Sequence, residues 1–385
     1  MKVDRIEVFP VSVPYRNVEK NSSGVSRFGV SDVIVKVTTD DGCVGWGEST
    51  RTSSAEVIIK TLQAMVPVLL NQDPWQNQHH ERNVYHSALW NWSPNTANLA
   101  YGGIDMALWD IYGKQTGKPI YQLLGGSLRD EIEYFFYLNG TNLNSLREQC
   151  EEGIGKGYTV FYLKVGVNQD KEEEMIKLIR SVIGPKNRIR LDANMSWNIV
   201  QAKRLIGLWH NKYDIDFVEA PVKIEPVSLM QDIKNSVSAS LCVNEGLWKE
   251  SEFIDIVDSR CGDYLCCSHY YVGSIRKFLH LAYLADYRGW QLCKHTHGEL
   301  GLTAAIGQHL MLSVPNACEG HQQTAQHMVD DILTEEIPIS NLPVWGTIDG
   351  PGLGVEVDEN KLAYYHRKYI DDGEFLPYGD RFPMR

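Results

Sequence analysis

Arg188-Ile189-Arg190-Leu191-Asp192-Ala193-Asn194 decides how the chain is read. Its pattern alternates as that of a buried strand does, and it ends on two short polar side chains, Asp192 and Asn194, spaced two apart and facing the same way. An apolar run that stops on a carboxylate reads as a strand tip entering a polar cavity. The design recurs downstream, where Asp216-Phe217-Val218-Glu219 ends on Glu219 and Leu241-Cys242-Val243-Asn244-Glu245 ends on Glu245. The intervals are roughly 26 residues, about the length of one βα unit in a parallel sheet or barrel. Singly, such a residue serves equally well to begin a polar loop or cap the next helix. Together, Asp192, Glu219 and Glu245 on successive strand ends make an oxygen-rich cage suited to a hard divalent cation such as Mg²⁺.

Outward from that stretch, short apolar runs alternate with helix-length segments after about residue 130. The strand candidates are 133–138, 160–165, 188–194, 217–220, 241–245, 264–268, 291–296 and a short one at 317–319. Eight runs over roughly 190 residues predict a parallel (β/α) barrel, with an open doubly wound sheet as the alternative. The barrel is favoured because polar residues gather at the C-terminal end of nearly every strand. Upstream, 3–13 alternates, Ser31 to Thr39 runs to a turn at Asp40-Asp41-Gly42, and Val44-Gly45-Trp46-Gly47-Glu48 follows as a hairpin partner. The polar stretch from Arg16 to Phe28 reads as a loop and a candidate lid. Ala100, Ile104, Ala107, Leu108 and Ile111 form a helical stripe that Gly117-Lys118-Pro119 stops. The tail from about Pro351 is polar and aromatic without clear periodicity.

Composition bounds the function classes. With 385 residues the chain is long enough for a large core and two domains. No apolar run approaches the roughly 18 residues of a membrane span, and the N-terminus lacks the apolar stretch of a signal peptide. A formal net charge of -12 argues against nucleic acid as a partner, without excluding an anionic substrate in a locally cationic pocket. Eight scattered Cys, several in apolar strand-like runs, read as buried free thiols in a reducing compartment, so the cytoplasm is the expected location. The phosphate-loop pattern of nucleotide binders is absent.

Other strand ends carry chemistry of their own. Phe161-Tyr162-Leu163-Lys164-Val165-Gly166 places Tyr162 and Lys164 on one face, and a Lys beside a cation at a strand tip is a candidate general base. Across the mouth, Lys294-His295-Thr296-His297-Gly298-Glu299 puts His295 and His297 on one face of the seventh strand. Ser268, and Glu319 with His321 at the eighth strand, complete the predicted ring.

Ala100, Ile104-Asp105-Met106-Ala107-Leu108-Trp109-Asp110 and Gly113-Lys114, followed by Gly117, Pro119 and Leu123-Leu124-Gly125-Gly126, resemble the signature of the mandelate racemase and muconate lactonizing group of the enolase superfamily. The Asp192-x-Asn194, Glu219-x-Pro221 and Glu245 strand ends resemble its three metal ligands, and Lys164-x-Gly166 its second-strand Lys; Gly45-Trp46-Gly47-Glu48 extends the likeness to the N-terminal part. The resemblance implies a (β/α)₇β TIM-like barrel with an α+β capping domain completed by the C-terminal tail, divided as 1–130, 131–350 and 351–385. It also implies Mg²⁺ and removal of a proton α to a carboxylate to give a metal-stabilised enediolate.

The chain departs from the group's pattern in two places. Tyr162 stands where the group usually has the first Lys of Lys-x-Lys, and Ser268 where relatives carry an Asp behind the histidine or a Lys. The expected activity is dehydration of a hydroxylated acid such as a sugar acid, with Lys164 as base and His295 or His297 as acid. Tyr162, Asn194, Ser268, Glu319 and His321 are expected to contact substrate. Racemisation or epimerisation, cycloisomerisation, and a non-catalytic carboxylate-binding protein are the alternatives. The expected partner is a small-molecule carboxylate, and the expected assembly a homo-oligomer.

Overall fold

The structure is a computed structural model and describes residues 1–20, 26–50, 54–140 and 142–376. The chain opens with β1 (Val3–Pro10), a hairpin of β2 (Val13–Lys20) and β3 (Ser26–Val30), then β4 (Val33–Thr39) and β5 (Val44–Ser49). β1, β4 and β5 form an antiparallel sheet, with β4 at its centre. The helix Pro94–Thr116 lies directly on β5. That approach explains the Gly-Trp-Gly motif: a Cβ at Gly45 would collide with the Ala107 carbonyl, and one at Gly47 with the Gly103 carbonyl. The predicted loop from Arg16 to Phe28 is therefore largely the β2–β3 hairpin, whose tip at 21–25 falls outside the described residues.

After β6 (Glu131–Glu133) the chain builds seven parallel strands in sequential order. They are β7 (Phe136–Leu138), β8 (Val160–Lys164), β9 (Arg188–Asp192), β10 (Ile215–Glu219), β11 (Ser240–Val243), β12 (Tyr264–Cys267) and β13 (Gln291–Lys294). Helices connect them, with their apolar faces packed inward. The single strand expected at 133–138 is divided: β6 leaves the barrel to pair antiparallel with β14 (Val344–Gly346), and only Phe136–Leu138 joins β8.

The expected eighth strand at 317–319 is an irregular closing segment. It makes single bridges, Leu292 with Ala317 and Tyr134 with His321. Gly320, at φ 71°, interrupts it between them. The barrel thus closes between β13 and β7 through bonds such as Leu292 N to Asn316 O (2.7 Å) and Phe135 N to His321 O (2.9 Å).

The tail, without visible periodicity in sequence, contains a helix over Glu359–Asp372, capped at its N-terminus by Asp358. This helix returns to the N-terminal sheet: Ser12 N donates to Tyr365 O at 3.2 Å, and His366 Nδ1 lies 2.7 Å from Pro10 O. The C-terminal helix therefore packs beside the N-terminal strands. All eight cysteines are free, six of them buried. Among the described residues no helix is long and apolar enough to cross a membrane.

Candidate active site

The C-terminal ends of the barrel strands surround a cavity of about 290 Å³. Side chains from β8 and β9 make its most connected wall. Lys164 Nζ donates to Asp192 Oδ2 at 2.7 Å and to Asn194 Oδ1 at 2.9 Å, and the Tyr162 hydroxyl donates to the same Asp192 oxygen at 2.6 Å. Just past the end of β9 the backbone turns left-handed at Asn194 (φ 41°) and Met195 (φ 60°). The Asn194 amide then donates to Asp192 Oδ1 at 2.8 Å.

Glu219, the last residue of β10, is fully buried and accepts from Gln322 Nε2 on both oxygens, at 3.0 and 2.7 Å. Glu245 follows β11 and leaves Oε2 buried with no hydrogen-bond partner. Burial, with the Asp192 charge beside it, pushes Glu219 well above the usual carboxylate range; the same causes push Glu245 up to about 7.

This is a set of buried acids short of positive charge, built only of oxygen donors, and a hard divalent cation fits it. The oxygens are not gathered in advance. Among the described residues the clusters with all ligand atoms within 4.8 Å are Cys293, Cys318, His321 and Glu219, Cys242, Cys266. Asp192, Glu219 and Glu245 would hold such an ion through carboxylate lone pairs, some of which now accept from Tyr162, Lys164 and Gln322.

The histidines stand across the mouth. β13 ends at Lys294, so His295 and His297 lie on the loop that follows rather than on the strand, and both line the cavity. Their rings are 4.5 Å apart at 82°. Lys294 points away from the cavity and pairs, fully buried, with Glu299. Glu299 in turn accepts from the His297 amide at 3.2 Å, which pins the loop. Burial, followed by the neighbouring His297, holds His295 well below the ordinary histidine value.

Two family models match the chain. The one described as "Mandelate racemase / muconate lactonizing enzyme, N-terminal domain" covers residues 6–125, and "Enolase C-terminal domain-like" covers residues 145–361. The chain belongs to the mandelate racemase and muconate lactonizing group of the enolase superfamily. Among curated members it is 27% identical over 374 residues to N-succinyl-L-Arg/Lys racemase of Bacillus cereus, covering 94% of this chain and 97% of that one. It is 26% identical over 354 residues to arabinonate dehydratase of Saccharolobus solfataricus, covering 90% and 93%. The crystal structure of the Bacillus cereus racemase superposes with a TM-score of 0.87 at 26% identity, over 95% of this chain and 98% of that one. Dehydratases, racemases, epimerases and cycloisomerases all occur among the superfamily relatives.

This cavity gathers eight of the expected site residues: Tyr162, Lys164, Asp192, Asn194, Glu219, Glu245, His295 and His297. Three others do not line it. Glu319 is at the opposite end of the barrel, its side chain 68% exposed and paired with Arg188 at the start of β9. His321 is fully buried, its Nδ1 accepting from the Lys294 amide at 2.8 Å. Ser268 is buried behind the wall, at the head of the short helix His269–Val272.

The reason for the first two is local. Strict alternation puts Glu319 and His321 on one face, but Gly320 breaks the alternation and turns Gln322 and Thr324 into the cavity instead. Arg27, Asn244, Trp248 and Tyr271 also line it and were missed. Asn244 sits next to Glu245 in a quoted run, and Arg27 falls in the stretch read as a candidate lid; Trp248 carries no local signal.

Proposed function

We propose that the chain is a Mg²⁺-dependent enzyme that removes the α-proton of a hydroxylated carboxylate and expels its β-hydroxyl, as a sugar-acid dehydratase does. The observation that carries this reading is the placement of Lys164 and the His295–His297 pair on separate walls of one cavity, with Asp192, Glu219 and Glu245 between them. β8 and β13 are separated by β9–β12 on one side, and by β7 and the closing segment on the other. Groups at their ends therefore meet a bound substrate from different sides.

A divalent cation held by the three carboxylates supplies Lewis acidity that offsets the charge developing on the substrate carboxylate as its α-proton leaves. Lys164 Nζ takes that proton. Asn194 Oδ1, 2.9 Å from Nζ, holds it beside the carboxylates. A histidine donates a proton to the departing hydroxyl, which leaves as water. Asn194, Asn244, Thr296, Gln322 and Thr324 give the lining many groups able to bond hydroxyls, which suits a polyhydroxylated acid.

The test is incubation with a panel of acid sugars and N-acylated amino acids in deuterated water containing Mg²⁺. Loss of water, with deuterium entering at the carbon that lost its hydroxyl as the enol product tautomerises to a keto acid, is the expected result. Exchange with inversion and no water loss would replace dehydration by epimerisation. Binding without exchange across the whole panel would leave a carboxylate-binding protein on this fold.

A further inference from the structure

Both ring nitrogens of His295 are engaged by phenol hydroxyls. Tyr270 Oη lies 2.9 Å from Nδ1, and Tyr271 Oη lies 3.2 Å from Nε2. The three residues are buried together at the ends of β12 and β13. The direction of each bond follows from an anchor on the backbone. Asn244 Nδ2 donates to the Cys266 carbonyl at 3.2 Å, and the reverse amide orientation would set oxygen against oxygen. Asn244 Oδ1 therefore faces Tyr271, and as it only accepts, Tyr271 donates its one proton there at 3.3 Å. The Tyr271 oxygen is left as acceptor for His295, so Nε2 carries the ring proton. Nδ1 then accepts from the Tyr270 hydroxyl, which is nearer to it (2.9 Å) than to its other acceptor, the His295 carbonyl (3.3 Å).

We propose that Tyr270 and Tyr271 are positioning residues that fix His295 as a neutral, Nε2-protonated imidazole, and that His297 is the histidine that exchanges a proton with the substrate. This rests on the reading above that a histidine following β13 serves the substrate. Protonating Nδ1 of His295 breaks the Tyr270 bond in a buried place, and removing the Nε2 proton leaves an imidazolate; neither state suits a group that must gain and lose a proton in each turnover. The low proton affinity that burial gives His295 agrees with that state.

His297 instead stands edge-to-face on the clasped ring and nearly parallel to Trp248, at 7°. The clasp is the wall that orients it. Tyr270 follows Ser268 by two residues, so the phenols occupy the region where relatives were expected to supply a carboxylate. A phenol fixes the tautomer without adding the negative charge that would raise the proton affinity of His295.

Nitrogen-15 spectra of the histidine rings in the full chain test the clasp, with His295→Gln assigning the resonance. The expected result is one neutral Nε2-protonated tautomer for His295, unchanged about one pH unit either side of the ordinary histidine value of about 6.5. Tyr271→Phe, which removes the acceptor facing Nε2, should give a mixture of tautomers with an unchanged circular dichroism spectrum. A wild-type His295 that titrates near the ordinary value, or that carries its proton on Nδ1, overturns the proposal. In turnover of a hydroxy acid, His297→Asn should abolish water loss while His295→Gln retains a measurable fraction; the reverse order overturns it. The spectra need no substrate, so failure of the clasp is distinct from failure of the dehydration reading, which unchanged turnover in Lys164→Ala would report.

Discussion

Buried carboxylates occur both at the seam between the capping domain and the barrel and at the barrel mouth, and the two sets are held differently. At the seam, Glu48 accepts from the backbone amides of Leu300 and Thr303 at 2.7 and 2.8 Å, capping the barrel helix Gly301–Ser313 from β5. Asp105 accepts from the Ile275 amide at 2.8 Å; Asp110 joins the Trp46 and Leu353 amides, each at 2.9 Å. At the mouth, the partners of Asp192 and Glu219 include side chains, namely Tyr162, Lys164 and Gln322, and Glu245 keeps one buried oxygen without any partner.

Acidity does not separate the two sets. Burial raises Glu48 well above the usual range, with the Asp32 carboxyl adding to it, and raises Asp105 to about 7, as it raises Glu219 and Glu245. The origin of the backbone donors does. Glu48, Asp105 and Asp110 each accept an amide from a distant segment, with the Asn77 and Lys114 side chains added at Asp105 and Asp110, whereas Asp192 takes the nearby Asn194 amide and Glu219 the Gln322 side chain. Long-range backbone anchors mark the acids that join distant segments of the chain; acids held mainly by side chains are the ones open to a cation.

The comparison breaks most sharply at Lys164. Lys164→Ala should slow α-proton exchange by at least about 10²-fold while the protein still folds and binds Mg²⁺, read by deuterium incorporation and calorimetry. Near-normal exchange would move the base role to the histidines. Glu48→Ala leaves two buried helix amides unsatisfied and should destabilise the fold by roughly 2–3 kcal/mol in denaturant melts, with Mg²⁺ affinity of the folded protein unchanged. A loss of metal affinity with intact stability would erase the distinction between seam and mouth.

Glu219→Gln should do the opposite. It should weaken Mg²⁺ at least about tenfold, with stability unchanged or slightly raised because a crowded buried charge is gone. A destabilised fold with unaltered metal affinity would assign Glu219 to structure.

The smallest effect is in pH. Glu245 at about 7 is protonated below that value, and the proton competes with the cation. Mg²⁺ affinity should therefore rise with pH up to about 7 and level off above, changing by no more than about tenfold per unit from this group. A flat titration between about pH 6 and about pH 8 would remove Glu245 from the ligand set.

Much of this was legible in the chain itself. The alternation that ends on Asp192, Glu219 and Glu245 at βα intervals states a barrel with acids at one mouth, because a period of two and a unit length are properties of consecutive residues. Val44-Gly45-Trp46-Gly47-Glu48 was legible as a hairpin partner, but only the structure shows the helix Pro94–Thr116 lying so close that neither glycine has room for a Cβ. The same local logic failed where one residue resets the geometry: at Gly320, alternation pointed to Glu319 and His321, and the backbone delivers Gln322.

The tertiary structure alone decided which groups answer one another. Tyr270 and Tyr271 lie 25 and 24 residues before the His295 they clasp, and Arg27 reaches the His297 carbonyl from the capping hairpin. The sequence by itself determined which strands end in acid, since that depends on neighbours along the chain. Only the closed barrel decided that Lys164 meets Asp192, Gln322 meets Glu219 and two phenols hold His295. Hydrogen bonds act over about 3 Å of space, whatever the separation along the chain.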